Sequence, residues 1–309
     1  MREEAVAFYS NGAKLAGILR LPEGTGPHPG IVQGPGWLGL KDAKLYEPYH
    51  EALTAAGFAV LIFDYRGFGD SEGDRNSLLV AGQVSDLVSA VTYLETRQDI
   101  DASRLGVFGS GGTGGGNAVL LAAADQRIRC AVSQVPVADG EDWLRRMRRG
   151  YEWFEFLERL AADRRQRVLT GTGEMVHPRE DIMVPSPERR ATTVKKDVDD
   201  RIPTSVPLAA AEEILAYKPI EYAPKVSRLM VIAVENDPVT PTDHAVALYE
   251  AAREPKQLIM QGATTHYEAY RQHADVVIPR IVDWYRTHLG PSTVQAITRS
   301  GSETLKERP

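Results

Sequence analysis

The sequence predicts an α/β protein with a mostly parallel central sheet, helices on both faces and an inserted helical lid. Three observations carry this. Short apolar runs alternate with amphipathic segments through the first half of the chain. At 104–117 an apolar run passes straight into a glycine-rich turn and then a helical pattern. Near residue 140 the sheet pattern stops, and it returns only after about residue 222. With 309 residues, 43% of them hydrophobic and 25% charged, the chain can bury one large core.

In chain order, segments 5–9 and 16–20 flank Ser10-Asn11-Gly12 and read as a hairpin at the sheet edge. Apolar runs at 29–33, 59–63, 105–108 and 130–134 read as parallel strands. Amphipathic segments around 46–56, 83–96 and 117–124 separate them and supply the covering helices. From about Gly140 to Tyr222, Trp143, Met147, Tyr151, Phe154, Leu157 and Leu160 recur at helical spacing among many arginines, and a polar, proline-containing stretch follows. This reads as an insertion. Strand patterns resume at 229–234 and 257–260, followed by a closing helix from about 274 to 288. The core is then 1–139 with 223–289, the lid 140–222, and the polar, aperiodic 290–309 a disordered tail.

A formal net charge of −6 leaves no basic field for nucleic acid or an anionic membrane. The single cysteine, Cys130, lies in the apolar run 128–132 and reads as a buried filler, so no internal disulfide forms. The charged start Met1-Arg-Glu-Glu lacks an apolar signal region, and no apolar stretch approaches the roughly 20 residues that span a bilayer. A cytoplasmic protein acting on a small molecule is the expectation, and a homodimer is compatible with it.

The chemistry centres on Arg104-Leu-Gly-Val-Phe-Gly-Ser-Gly-Gly-Thr-Gly-Gly-Gly-Asn117, which reads as a nucleophile elbow. An elbow holds its nucleophile in a strained turn and needs small neighbours so that strand and helix can approach. Six glycines between Gly109 and Gly116 meet that need, but G-x-S-x-G is absent: Phe108 stands two residues before Ser110. The spacing fits Gly111-Gly112-Thr113-Gly114-Gly115 better, although a β-branched residue at a strained turn is unfavourable. Three readings stay open: Ser110 attacks, Thr113 attacks, or no side chain does and a base activates water or the substrate.

That base is His266, in Gly262-Ala-Thr-Thr-His-Tyr267 after the last strand, and its acid partner is Asp237, in Glu235-Asn-Asp-Pro-Val-Thr-Pro241 after the strand before it. Both fall at the carboxyl edge of the sheet, where open α/β sheets bind ligands. A carboxylate on one ring nitrogen sets the tautomer, and the other nitrogen takes a proton. His28, His50, His177, His244, His273 and His288 have no comparable placement. Arg66, in the 64–71 segment, reads as a structural ion-pair partner, and the arginines of 145–149 as a solvated helix face.

Together these segments resemble an α/β-hydrolase, in the bacterial esterase- and peptidase-like branch. The resemblance runs from about residue 5 to 288 through Gly34-Pro-Gly-Trp-Leu-Gly-Leu-Lys-Asp42, Phe63-Asp-Tyr-Arg-Gly-Phe-Gly-Asp-Ser-Glu-Gly73, the elbow, Asp237-Pro-Val-Thr-Pro241 and 262–267. It implies hydrolysis of a small ester, thioester, amide or activated C–C bond by a hydroxyl, His266 and Asp237. Main-chain N–H groups of Trp37 and Gly111 would hold the oxyanion, and Trp37, Trp143, Tyr151 and Phe154 would line the substrate pocket. No metal or organic cofactor is implied.

The chain departs from the family at three places. Gly111 or Gly112, depending on register, occupies the nucleophile position; Pro35 replaces a histidine in the oxyanion segment; and the base loop carries one extra residue, Thr264 or Thr265. The rival reading is a lyase, cyclase, hydratase or non-catalytic binder on the same scaffold, using the His266–Asp237 pair without a covalent nucleophile.

Overall fold

A computed structural model of the chain describes residues 1–75, 78, 80–187 and 200–290. β1 (Arg2–Ser10) and β2 (Ala13–Leu21) form the expected antiparallel hairpin. Its two-residue turn, Asn11-Gly12, has positive φ at both positions, which matches the right-handed strand twist. β3 (His28–Gly34), β4 (Ala59–Phe63), β5 (Ile100–Ser110), β6 (Ile128–Gln134), β9 (Ser227–Val234) and β10 (Arg253–Gln261) complete an eight-stranded sheet in the order β1-β2-β4-β3-β5-β6-β9-β10. From β4 to β10 every neighbouring pair is parallel, and only the hairpin edge runs antiparallel.

The helices α1 (Glu47–Ala55), α2 (Val80–Glu95), α3 (Gly112–Ala124), α7 (Thr242–Ala251) and α9 (Ala274–Leu289) cover this sheet, and the short α8 (Ala269–Gln272) precedes α9. Although the central strands are apolar throughout, their alternation still sorts residues into two layers. Ile31, Val60, Phe108, Val132 and Ile232 pack with Tyr49 and Leu53 of α1 and Tyr285 of α9. Their chain neighbours Val32, Leu61, Val107, Ala131 and Val231 pack on the opposite face with Leu87 of α2, Leu121 of α3 and Leu248 of α7. The parallel sheet is therefore buried on both sides, and its carboxyl edge is the exposed end at which loops can meet.

α3 begins at Gly112, five residues earlier than the periodicity at 117–124 indicates. Each helical glycine costs about 1 kcal/mol relative to alanine, so propensity argues against this start. Tertiary packing overrides it. A Cβ on Gly115 would stand 2.9 Å from the Gln134 carbonyl, and one on Gly114 2.6 Å from the Pro35 carbonyl.

Between β6 and β9 the chain forms α4 (Gly140–Arg146), α5 (Gly150–Thr170), the paired short strands β7 (Met175–Val176) and β8 (Val206–Pro207), and α6 (Ala210–Leu215). The buried stripe of α5 is Trp153, Phe156, Leu160 and Asp163. Tyr151 and Phe154, two positions before the first two of these, point about 200° away around the helix and are exposed. Of the expected tail 290–309, only Gly290 is described; the rest lies outside the described residues. Among the described residues, no helix is long and apolar enough to cross a membrane.

Segment 64–71 braces the sheet edge. Asp64, fully buried, accepts hydrogen bonds from the Lys41 N–H and Nζ at 2.8 and 2.6 Å and from the Asp70 N–H at 3.0 Å. Arg66 pairs with Asp86, as the sequence suggests. Arg148 departs from the expected solvated face: its guanidinium lies 3.8 Å over the Phe156 ring and donates to the carbonyls of Asp181 and Ile182.

Candidate active site

β9 ends at Val234, and the turn after it carries Asp237 to the carboxyl edge. The turn is held by the aspartate itself: Oδ1 accepts the N–H groups of Val239 and Thr240 at 2.7 and 3.0 Å, and Oδ2 accepts the Thr240 hydroxyl at 3.0 Å. The next strand, β10, ends at Gln261, and the loop beyond it brings His266 alongside. His266 Nδ1 lies 2.7 Å from Asp237 Oδ2, with both side chains buried. Burial alone would raise the Asp237 carboxyl, but the hydrogen bond and charge of His266 and the two turn N–H groups outweigh it and hold the group below its ordinary value. An ionised carboxylate only accepts, so Nδ1 carries the ring proton and Nε2 is the basic nitrogen. Among the described residues Nε2 has no protein hydrogen-bond partner, and His266 lines a cavity of about 500 Å³.

The other wall of the cavity includes the elbow. β5 ends at Ser110, and the residue at the apex is Gly111, with φ +74° and ψ +164°. This is the left-handed side of backbone space, which glycine enters without strain. Gly111 and Gly112 line the cavity; Ser110 and Thr113 do not.

The two expected nucleophiles are therefore not brought to the base. Ser110 is buried at the end of β5 and does not reach the cavity wall. No hydrogen bond joins it to His266. Thr113 is fully buried in the first turn of α3, and its Oγ1 has no hydrogen-bond partner among the described residues. The physical reason is register: the turn falls one residue after Ser110, so the serine belongs to the strand and the threonine to the helix.

Of the expected oxyanion donors, both Trp37 and Gly111 line the cavity. Trp37 and Trp143 meet edge to face at 6.0 Å and both line the cavity, and Trp143 is anchored by its Nε1–H to the Val239 carbonyl at 2.7 Å. Tyr151 and Phe154, expected to contact substrate, are 58% and 67% exposed and line no part of it.

Sequence reasoning missed Tyr46, Tyr270, Arg179 and Met183, all of which line the cavity. Tyr270 lies four residues beyond His266, one helical turn on, and that spacing is the only signal that could have drawn attention to it. Among the described residues, no cluster of three or more His, Cys, Asp or Glu is arranged to hold a metal ion. Cys130 is buried in the sheet, where burial pushes its thiol up, far from the chemistry expected of a nucleophile.

A family model described as X-Pro dipeptidyl-peptidase (S15 family) matches residues 11–268. The chain belongs to this family and, with it, to the α/β-hydrolases. An uncharacterised 31.7 kDa protein of the traX-finO intergenic region of Escherichia coli is 32% identical over 278 residues, covering 89% of this chain and 96% of that protein. A thiohydrolase of Eupenicillium brefeldianum is 25% identical over 291 residues, covering 86% of this chain and 85% of that protein. The α/β hydrolase GrgF from Penicillium superposes with a TM-score of 0.79 at 21% identity over 94% of this chain and all of that one, a likeness of fold.

Proposed function

We propose that this S15-family hydrolase cleaves a small carboxylic ester or thioester by activating water directly, with His266 as general base and Asp237 orienting it, and without an acyl-enzyme. One observation carries the reading. The basic nitrogen of His266 opens on a cavity whose elbow apex is a glycine, while the neighbouring serine and threonine lie off the cavity wall.

In this scheme Nε2 takes a proton from water as the water oxygen attacks the acyl carbon. When the tetrahedral intermediate collapses, the C–O or C–S bond breaks and the imidazolium returns its proton to the leaving oxygen or sulfur. A water nucleophile suits an activated acyl group. A thiol, with a pKa near ~8.5, leaves as thiolate with little need of that proton, so thioesters are favoured over amides. The thiohydrolase relative supports the same choice. The aromatic walls, Trp37 and Trp143 above all, suit an apolar or aromatic acyl group.

The test is turnover of S-phenyl thioacetate and p-nitrophenyl acetate, together with a fluorophosphonate probe. The expected result is hydrolysis with no adduct on Ser110 or Thr113, and a Ser110→Ala variant within about tenfold of wild type. A stoichiometric adduct on Ser110 together with an inactive Ser110→Ala variant would overturn the reading in favour of an acyl-enzyme. Failure on every acyl substrate would favour a lyase, cyclase or hydratase using the same pair.

A further inference from the structure

The outward face of α5 carries an apolar stripe. Val168 and Leu169 are 81% and 83% exposed, and Tyr151 and Phe154 stand exposed on the same helix. Successive helical residues are about 100° apart. Tyr151, Phe154, Glu158, Arg165 and Leu169 therefore fall within an arc of about 60°, opposite the buried stripe of Trp153, Phe156, Leu160 and Asp163. Ala161 and Ala162, also exposed, flank that arc at mid-length. An exposed apolar stripe of this kind marks a contact surface.

The order of residues along the stripe identifies the partner. Phe154 and Leu169 are equidistant from the point midway between Ala161 and Ala162, and the same is true of Glu158 and Arg165. A two-fold axis through that point, normal to the helix, lays a second α5 antiparallel on the first. Phe154 then meets Leu169 of the second copy and Glu158 meets its Arg165. At the crossing only alanine methyls separate the two backbones, which permits close approach. Within one chain the two charges are nearly two turns apart, about 10 Å along the axis, and do not pair with each other. Among the described residues neither has an ion-pair partner, whereas the neighbouring Arg164 and Arg167 are tied to Glu212. Acidic residues on the face and a net charge of −6 disfavour a bilayer as the partner.

We propose that this face of α5 is a two-fold interface at which two copies of the chain pair antiparallel, with Phe154 against Leu169 and Glu158 against Arg165 on each side of the axis. None of these residues lines the cavity, so the pairing stands apart from the reaction assigned there. A helix of 21 residues is about 30 Å long. Two such faces bury less than the roughly 1,600 Å² of a standard interface, so the dimer is weak, with a dissociation constant in the micromolar range. The apolar contacts supply the attraction, and the two charge pairs fix the antiparallel register.

The experiment is sedimentation velocity of the full chain from about 1 to about 200 µM. Wild type is expected to pass from monomer to dimer across this range. Phe154→Glu, Glu158→Arg and Arg165→Glu are each expected to weaken the dimer by at least about tenfold while melting close to wild type. Glu158→Arg alone sets two arginines of one copy against Arg165 of the other, and Arg165→Glu does the converse with glutamates. The double variant Glu158→Arg with Arg165→Glu is therefore expected to regain the dimer, and so is an equimolar mixture of the two single variants, in which each chain complements the other. A wild type that stays monomeric at the highest concentration overturns the proposal. A dimer that survives Phe154→Glu and both single charge variants places the interface elsewhere and overturns it too. Loss in the single variants without recovery in either the double variant or the mixture overturns the antiparallel register.

Discussion

Among the described residues lie two histidine–carboxylate pairs, and only one is placed for chemistry. His266–Asp237 and His244–Asp142 are alike in length, at 2.7 and 2.8 Å, and both imidazoles are buried. They differ at the second ring nitrogen. That of His244 accepts the Ala138 N–H at 3.3 Å, so the ring is satisfied on both sides and joins α4 to α7. That of His266 opens on the cavity. A buried pair is thus a structural tie or a base according to what its far nitrogen meets, not according to the strength of the pair.

The largest expected effect separates the two. His266→Ala is expected to lower kcat/KM by about 1,000-fold, the usual contribution of a general base, while melting close to wild type. His244→Ala is expected to leave kcat/KM within about threefold and to destabilise by about 1–3 kcal/mol in urea unfolding, because it strands the buried Ala138 N–H. If both variants lost activity at unchanged stability, the comparison would fail.

Gly111→Ser sharpens it next. A Cβ there stands 3.0 Å from the Gly36 Cα, and φ is +74°, so a cost of about 1–3 kcal/mol is expected. In return a hydroxyl reaches the cavity beside His266. The variant is expected to take up a fluorophosphonate at residue 111, read by peptide mass spectrometry, where the parent protein takes up none.

A third histidine tests burial without a carboxylate. His50 lies between Arg20 Nη1, at 2.8 Å, and the side chain of Gln33. Burial, reinforced by the Arg20 charge, lowers its pKa to about 3. Between that value and the unfolded one near ~6.5, the unfolded chain binds the extra proton. His50 therefore lowers stability as pH falls through this window, by up to about 1.4 kcal/mol per pH unit. His50→Asn is expected to flatten that slope in urea unfolding between pH 7 and pH 4. The smallest effect is expected from Tyr151→Ala with Phe154→Ala: both side chains are exposed and away from the cavity, so kinetics within about twofold of wild type are expected.

Asp237 and His266 were legible because each follows a strand by only a few residues, so local chain direction alone delivers them to the carboxyl edge of the sheet. The same holds for the hairpin at Asn11-Gly12 and for the buried strands, whose apolar runs are continuous. Three things escaped this logic. The helical start of the glycine run is decided by main-chain contacts with Gln134 and Pro35, which no propensity encodes. The inward face of α5 is set by what it packs on, so an apolar spacing that includes Tyr151 and Phe154 could not be told from the true stripe at Trp153, Phe156 and Leu160.

The register of the elbow was the third. The sequence by itself determined that a strand, a glycine turn and a helix meet opposite a histidine held by an aspartate, because short-range pattern and chain order suffice for that. Only the tertiary structure decided that Gly111 takes the apex and that Ser110 stays in the strand, off the cavity wall. Tyr46 and Tyr270, which line that cavity, arrive from segments 64 residues before and 160 residues after the serine, and no short-range pattern says which distant residues the fold brings to one wall.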